Sequence, residues 1–467
     1  MKLKNSSLFQ KTARIMLSYS LANLVSIFGS YLPVESMPAS KSPRHRVFSY
    51  VRTFWLFLYQ VLQGNLSLNE MVQHARVWLL ATDNVSISPN TSAFSQARKR
   101  LPIQLLREVF DCVANQISSR ELFYGYKVKL VDGTGISMPD TQENRDCYPE
   151  HPKSGKHSGF PGLKLVCLFD YIGGCVLDWA TETITTSDSR LFMLFWPHLQ
   201  PNDLIVGDRH FCGYANFAFL RNLGIHMMTR KHQMRKHQKT VKRLGRKDLI
   251  VEWAKPKSPP KWENKEEWAK YPDNIKIREI AYSVRHKGFR TRSVTITTTV
   301  LDETIPAEKW AELYFHRWDA EVFLRDIKIT LGMDMLKGQT PDMISKEVNL
   351  YFIAYNLIRL LMYKAAEETG AQLQKISFKS TVTAIRIWVP ILAEARTKAE
   401  YNKYLVEFLR EIAYPRCRNR KHKSEPRAKK RRAKNYQLLT GDRHHFVPIA
   451  HRNKYKKTAR SKTGGSL

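Results

Sequence analysis

Through the first 120 or so residues, apolar positions recur at three- and four-residue intervals. The pattern is clear in "FSYVRTFWLFLYQVLQG" (48–64) and "SLNEMVQHARVWLLATDN" (67–84), and both predict helices. In "SPNTSAFSQARKRLPIQLLREVFDCVANQI" (88–117), Thr91 or Ser92 caps a further helix that Pro102 interrupts, with Gln96, Arg98, Lys99 and Arg100 facing outward. That helix reads either as part of a small DNA-binding module or as a solvated basic face. Near residue 125 the period shortens to two. "YKVKLVDGTGISMPD" (126–140) is a strand ending in an Asp-Gly turn, and "LKLVCLFDYIGGCVLDWATETI" (163–184) alternates around a Gly-Gly hairpin signal. A helix at 189–199, a buried strand "LIVGD" (204–208), a helix at 214–224 and a strand at 225–230 follow. Early strands followed by alternating helices and strands predict an α/β fold built on a mixed sheet.

From 231 to about 292 the chain is highly charged, carries "KPKSPPKW" and alternates in "IKIREIAYSVRHKG", which predicts a β-rich insertion. "RSVTITTTVLD" (292–302) resumes strand character, and Pro306 introduces a long helix containing "LYFHRWDAEVFLRDIKITLG" (313–332). The uncharged stretch Ile15–Val34 follows Lys2, Lys4, Lys11 and Arg14, as a signal or anchor does. Its four Ser, one Asn and one Gly make it too polar for a span, so it reads as a buried or amphipathic helix.

Charge narrows the partners. Lys and Arg number 76 against 42 acids in 467 residues, a formal net charge of +34. Such a surface attracts polyanions, nucleic acid foremost. The stretch "PRCRNRKHKSEPRAKKRRAKNYQ" (415–437) has one acid among many bases and reads as a disordered tail or a phosphate-binding arm. Six Cys without a C-x-x-C pair argue against a zinc knuckle and a disulfide framework, and read as reduced thiols.

Which carboxylates do chemistry? At roughly 100° per residue from Tyr314, Arg317 falls near −60°, Glu321 near −20° and Lys328 near −40°, one narrow stripe beside an apolar one. Asp319 and Asp326 land near +140° and +120°, on the other side. A Glu so placed either makes helix salt bridges with Arg317 and Arg325 or serves the core edge beside it. Asp132 ends the apolar strand of "KLVDGTG" and Asp208 ends "DLIVGDRHF", where open α/β sheets bind ligands. Each alone is an ordinary turn former. Together with Glu321 they make an oxygen cage suited to Mg²⁺ or Mn²⁺. No P-loop, H-E-x-x-H or G-x-S-x-G occurs. The His of "DRHHF" and "RKHQMRKHQK" lie in basic runs and read as phosphate contacts or surface.

Tyr314-x₂-Arg317-x₃-Glu321-x₆-Lys328 resembles the Y-x₂-R-x₃-E-x₆-K signature of bacterial insertion-sequence DDE transposases of the IS-four family. "VDGTGISMPDT" and "GDRHFCGYA" look like that family's segments around its first and second catalytic Asp, and "EPRAKKRRAKNYQLL" is similar to its endings. The resemblance covers roughly residues 90–440. It implies a ribonuclease H-like core with a β-strand insertion before the last catalytic helix. It also implies catalytic Asp132, Asp208 and Glu321 holding two divalent ions, with Tyr314, Arg317, Lys328 and Arg209 on DNA. The implied partners are double-stranded DNA, as terminal inverted repeats and target, and a second copy of the chain in a homodimer. No membrane is involved, and the implied location is the bacterial cytoplasm, with the nucleoid. An aromatic in the insertion holds a flipped base in studied relatives, and Trp253, Trp262 and Trp268 are the candidates here. The expected organisation is a helical, DNA-end-binding region at 1–120, core at 121–230, insertion at 231–292, core with the catalytic helix at 293–390, and a helical, basic region at 391–467. The expected function is cut-and-paste transposition. The rival readings are a non-catalytic DNA-binding protein of the same fold and a general nuclease.

Overall fold

A computed structural model describes residues 24–25, 27–33, 46–117, 121–150, 160–235, 239–284 and 292–414. Most of the uncharged stretch at 15–34 and all of the basic stretch at 415–437 lie outside them, as does "DRHHF". Among the described residues no helix is long and apolar enough to cross a membrane.

Four helices open the description: α1 (Tyr50–Leu62), α2 (Leu68–Asp83), α3 (Ser92–Arg100) and α4 (Ile103–Gln116). Ser49 caps α1 by accepting from the Arg52 N–H, and Ser67 with Glu70 closes a reciprocal capping box on α2. Arg98 does not face outward as its charge suggests. It sits four residues after buried Phe94, is 7% exposed, and lays its guanidinium over the Phe57 ring at 4.0 Å. The buried Glu347 carboxylate supplies the opposing charge.

Among the described residues nine strands follow in one mixed sheet. They are β1 (Lys127–Ser137), β2 (Gly162–Asp170), β3 (Val176–Thr183), β4 (Asp203–Gly207), β5 (His226–Arg230), β6 (Lys239–Gly245), β7 (Asp248–Ala254), β8 (Asn274–Val284) and β9 (Arg292–Thr298). Their spatial order is β3-β2-β1-β4-β5-β9-β8-β7-β6. β1, β2 and β3 form an antiparallel meander, whereas β4 and β5 run parallel to β1. This is the ribonuclease H-like mixed sheet, extended on one side by β6–β9.

Side-chain alternation gives the sheet two buried faces. Val128, Leu130, Leu165, Cys167, Leu204 and Val206 point into a core shared with α1–α4. After α5 (Gln142–Cys147), which lies in a connection, α6 (Asp188–Phe192) and α7 (Tyr214–Asn222) cover the other face, where Val131, Val166, Leu168 and Ile205 point, and α8 (Lys265–Ala269) adds Trp268 to that core.

The long helix expected after Pro306 is broken. α9 (Ala307–Phe315) ends at His316, α10 (Arg317–Arg325) restarts, and Asp326–Thr330 forms a π-helical turn. The Asp319 N–H bonds the His316 carbonyl at 2.9 Å, a tighter turn than α-helix, and the π turn then loosens the winding. Beyond it comes α11 (Pro341–Thr369), then α12 (Phe378–Ala393) and α13 (Lys398–Ala413). At 29 residues α11 is roughly 44 Å long. From Met343 to Met362 every residue but Ser345 is buried, polar Lys346, Glu347, Asn349, Asn356 and Arg359 included. Three of its residues hold the β2–β3 turn. Asn356 bonds both the N–H and the carbonyl of Val176 at 2.9 Å, Tyr355 donates to the Gly174 carbonyl at 2.7 Å, and Arg359 Nε donates to the Gly173 carbonyl at 2.8 Å. Gly174 has φ +64°, and a Cβ there would lie 2.3 Å from the Arg359 guanidinium, so only glycine fits.

Candidate active site

Parallel pairing of β1 with β4 ends at Leu130 opposite Val206. Two further residues along each chain set Asp132 level with Asp208, which stays extended at φ −79°, ψ −176°. Adjacent strands are about 4.8 Å apart. Asp132 shares the parity of Val128 and Leu130, and Asp208 that of Leu204 and Val206, so both carboxylates face the side on which those four residues are buried. α10 covers that side. Ala320, Phe323 and Leu324 are its buried contacts, with the Phe323 ring 5.5 Å from that of Phe169 on β2. Glu321 follows Ala320 and lies at the rim, its side chain 44% exposed.

Asp132 feels the charges of both other carboxylates. Burial raises the Asp132 carboxyl to about 6, its hydrogen bond from the Gly133 N–H draws it down, Asp208 raises it, Arg317 lowers it and Glu321 raises it. Asp208 accepts from the His210 N–H at 2.8 Å and meets His210 Nδ1 at 2.7 Å, while Glu321 meets Arg317 Nη2 at 3.0 Å. Among the described residues no group of three His, Cys, Asp or Glu stands close enough to hold an ion. The donor set nevertheless fits a hard divalent cation. It is all oxygen, and it concentrates negative charge where burial already penalises it.

The remaining stripe residues differ in surroundings. Arg317 is nearly buried, with its guanidinium 4.6 Å from the ring centre of exposed Trp318. Tyr314 is 7% exposed, and burial pushes its phenol well above the ordinary value, with Arg317 lowering and Asp208 raising it. Lys328 sits in the π turn and donates to Thr134 Oγ1 at 2.8 Å and to the Gly135 carbonyl at 2.7 Å, just past Asp132 on β1. Arg209 is exposed and donates to Gln233 Oε1 at 3.3 Å. The stripe therefore surrounds the strand ends, although the π turn alters the angular spacing that the wheel assigns to Lys328.

Asp326, placed away from the stripe by the wheel, is 8% exposed; Arg325 approaches at 3.7 Å, and the charge of Arg359 on α11 reaches it. Among the insertion tryptophans, Trp253 is fully buried and donates to Glu279, and Trp268 is 5% exposed and donates to the Pro256 carbonyl, so both are core. Trp262 lines a cavity of about 260 Å³ beside Tyr214 and Pro259. His210, the partner that holds Asp208, carried a signal in its two-residue spacing from that acid at a strand end.

Asp326 gives a pH test. Burial lifts its carboxyl from 3.8 to about 6, against the pull of Arg325 and Arg359. Unfolded, it titrates near the lower value. Its contribution to stability is therefore full below about 3.8 and is lost as pH rises through about 6. Permanently neutral Asp326→Asn should match the wild type near pH 4 and exceed it at pH 7 by ~1–3 kcal/mol. Thermal unfolding from pH 4 to 8 measures this; an Asn variant less stable than wild type at pH 7 shows that Arg359 requires the charge.

A family model described as "Transposase DDE domain" matches residues 124–357. The chain is 25% identical over 364 residues to the transposase InsG of insertion sequence element IS4 from Escherichia coli (strain K12), covering 74% of this chain and 79% of that one. It is 33% identical over 87 residues to a probable transposase of insertion sequence element IS5377 from Geobacillus stearothermophilus, covering 19% and 22%. Among solved structures, the piggyBac transposase synaptic complex with hairpin DNA aligns at TM-score 0.43 and 9% identity over 84% of this chain and 85% of that one.

Proposed function

The chain belongs to the transposase DDE domain family, and we propose that Asp132, Asp208 and Glu321 are the acids with which it cleaves and rejoins DNA. It is a DNA transposase, and the family implies dependence on a divalent metal. The observation that carries the residue assignment is the register: it levels Asp132 with Asp208 on one face, under the helix that presents Glu321.

We assign Asp132, Asp208 and Glu321 as the holders of two Mg²⁺ or Mn²⁺ ions. When bound, such ions activate the attacking oxygen and stabilise the leaving one. The chain's own groups do the rest. Arg317, with its planar fork, and Lys328, a point charge, hold backbone phosphate beside the acids. Tyr314, whose phenol feels the charges of Arg317 and Asp208, offers its hydroxyl to phosphate on the same stripe. Arg209, exposed next to Asp208, adds a phosphate contact at the entrance. Water attack at the element's end releases a 3′-hydroxyl, which attacks the opposite strand or the target. Each step hydrolyses or exchanges a phosphodiester, so no nucleotide cofactor is consumed. The helical region at 1–120 binds the terminal repeats in this reading, the core is divided by the insertion at 231–292, and a homodimer joins two ends. The work takes place at the chromosome, in the bacterial cytoplasm.

The non-catalytic alternative takes support from Glu321 being paired with Arg317 and from the acids not converging on one point. Mg²⁺-dependent nicking of DNA bearing the inverted repeats that flank the coding region decides between them. Nicking at those repeats is expected. Binding without nicking leaves the non-catalytic protein, and equal cutting of repeat-free DNA leaves a general nuclease.

A further inference from the structure

Among the described residues β6 is the outermost strand of the sheet and pairs only with β7. From Lys239 through its turn to Lys247 the chain carries Lys239, Lys242, Arg243, Arg246 and Lys247 and no acid. The first five residues of β6 are exposed, as are Arg246 and Lys247. Among the described residues Lys242 is paired with Glu303 at 2.7 Å, Glu252 lies opposite Lys239 in register, and Arg243, Arg246 and Lys247 meet no acid within ion-pair distance. Register shifts at Thr240/Lys242 and Arg243/Gly245 break the regular alternation. Seven residues at about 3.3 Å each make a basic ridge roughly 20 Å long, over half a helical turn of duplex DNA.

Position in the sheet says which DNA. α4 packs at the opposite edge, where Arg107 pairs with Asp178 of β3. Asp132 lies on β1, six strand steps from β6, or roughly 29 Å. The Arg246–Lys247 turn also rims a cavity of about 960 Å³ that runs along α9 to His316, the residue before Arg317. We propose that the β6 edge binds the phosphate backbone of target DNA, a second duplex entering from the side away from the end-binding helices. This rests on the transposase reading above. The competing account is that charge on β6 only prevents edge-to-edge pairing with another sheet. Charge reversal separates the two, because a row of glutamates also prevents pairing but repels phosphate.

The test uses the full chain with Lys239→Gln/Arg243→Gln/Arg246→Gln/Lys247→Gln and the same four positions changed to Glu, leaving Lys242 with Glu303. Nicking of repeat-bearing DNA should stay within about twofold of wild type in both, which also reports folding. Affinity for repeat-free duplex should fall, with the salt slope reduced by three to four for the Gln variant, about one unit per lost contact. Strand transfer into that duplex should drop about tenfold for Gln and further for Glu. Unchanged salt slope and transfer in the Glu variant overturn the proposal in favour of edge protection. Loss of nicking in parallel with transfer, in a soluble variant with wild-type unfolding temperature, overturns it by placing the ridge on the element's end. Failure of wild type to nick repeat-bearing DNA is a separate result that removes the transposase reading itself.

Discussion

Asp132→Asn, Asp208→Asn and Glu321→Gln each reduce Mg²⁺-dependent nicking at the element's ends about a thousandfold or more, while end binding stays within about twofold. A thousandfold corresponds to ~4 kcal/mol of lost transition-state stabilisation. The argument is one of charge. Each substitution keeps shape and removes one negative charge from the proposed metal-holding site, where it would help to concentrate cations at a phosphodiester. None removes a positive group that meets DNA. Asn at 132 also deletes a carboxylate disfavoured by burial and raised by Asp208 and Glu321, so folding is not the casualty. Asp319→Ala is the control, since Asp319 pairs with His316 at 2.8 Å rather than facing the strand ends. Nicking and end-binding assays with matched unfolding temperatures make the comparison. Substantial nicking by Glu321→Gln removes Glu321 from the triad, and loss of nicking by Asp319→Ala in a folded chain removes the distinction between the two faces of α10.

The strand-end acids were legible because an apolar run that stops at Asp leaves a carboxylate with no packing purpose, and this holds for Asp132 and Asp208 alike. Their mutual alignment was not, because it depends on how β1 and β4 register across 75 intervening residues. The π turn was invisible to a fixed 100° wheel, and Lys328 sits within it as it reaches Thr134. α11 is buried all round over most of its length, so it lacks the one-sided stripe that marks an amphipathic helix; its meaning lies in Asn356 and Arg359, whose partners are 180 and 186 residues away. Arg98 shows the same limit in reverse. Its charge suggests solvent, whereas Phe57 and Glu347, distant in sequence, make a buried place for it.

Arg317→Ala should lower nicking about a hundredfold and weaken end binding about tenfold, ~2.7 and ~1.4 kcal/mol respectively. Its observed partner sets up the opposing view. A surface i,i+4 ion pair such as Arg317–Glu321 is worth only ~0.3–0.5 kcal/mol, and if that were all, removal would leave both assays nearly unchanged. Yet Arg317 is 8% exposed, its charge reaches Asp132 and Tyr314, and its guanidinium has five donors of which Glu321 takes one. A charge held that deep at a strand-end carboxylate has donors left for a phosphate. Geometry then sharpens the test. Arg317→Lys preserves charge but loses the planar fork, so nicking should stay well below wild type, whereas Lys328→Arg, at a point-charge position, should be milder. Arg325→Ala supplies the comparison, because Arg325 is 61% exposed and outside the signature. Equal damage from Arg325→Ala assigns the effect to generic positive charge on the helix. Full activity in Arg317→Lys shows that the fork is unused, and unchanged binding and nicking in Arg317→Ala reduce Arg317 to a salt bridge that restrains Glu321.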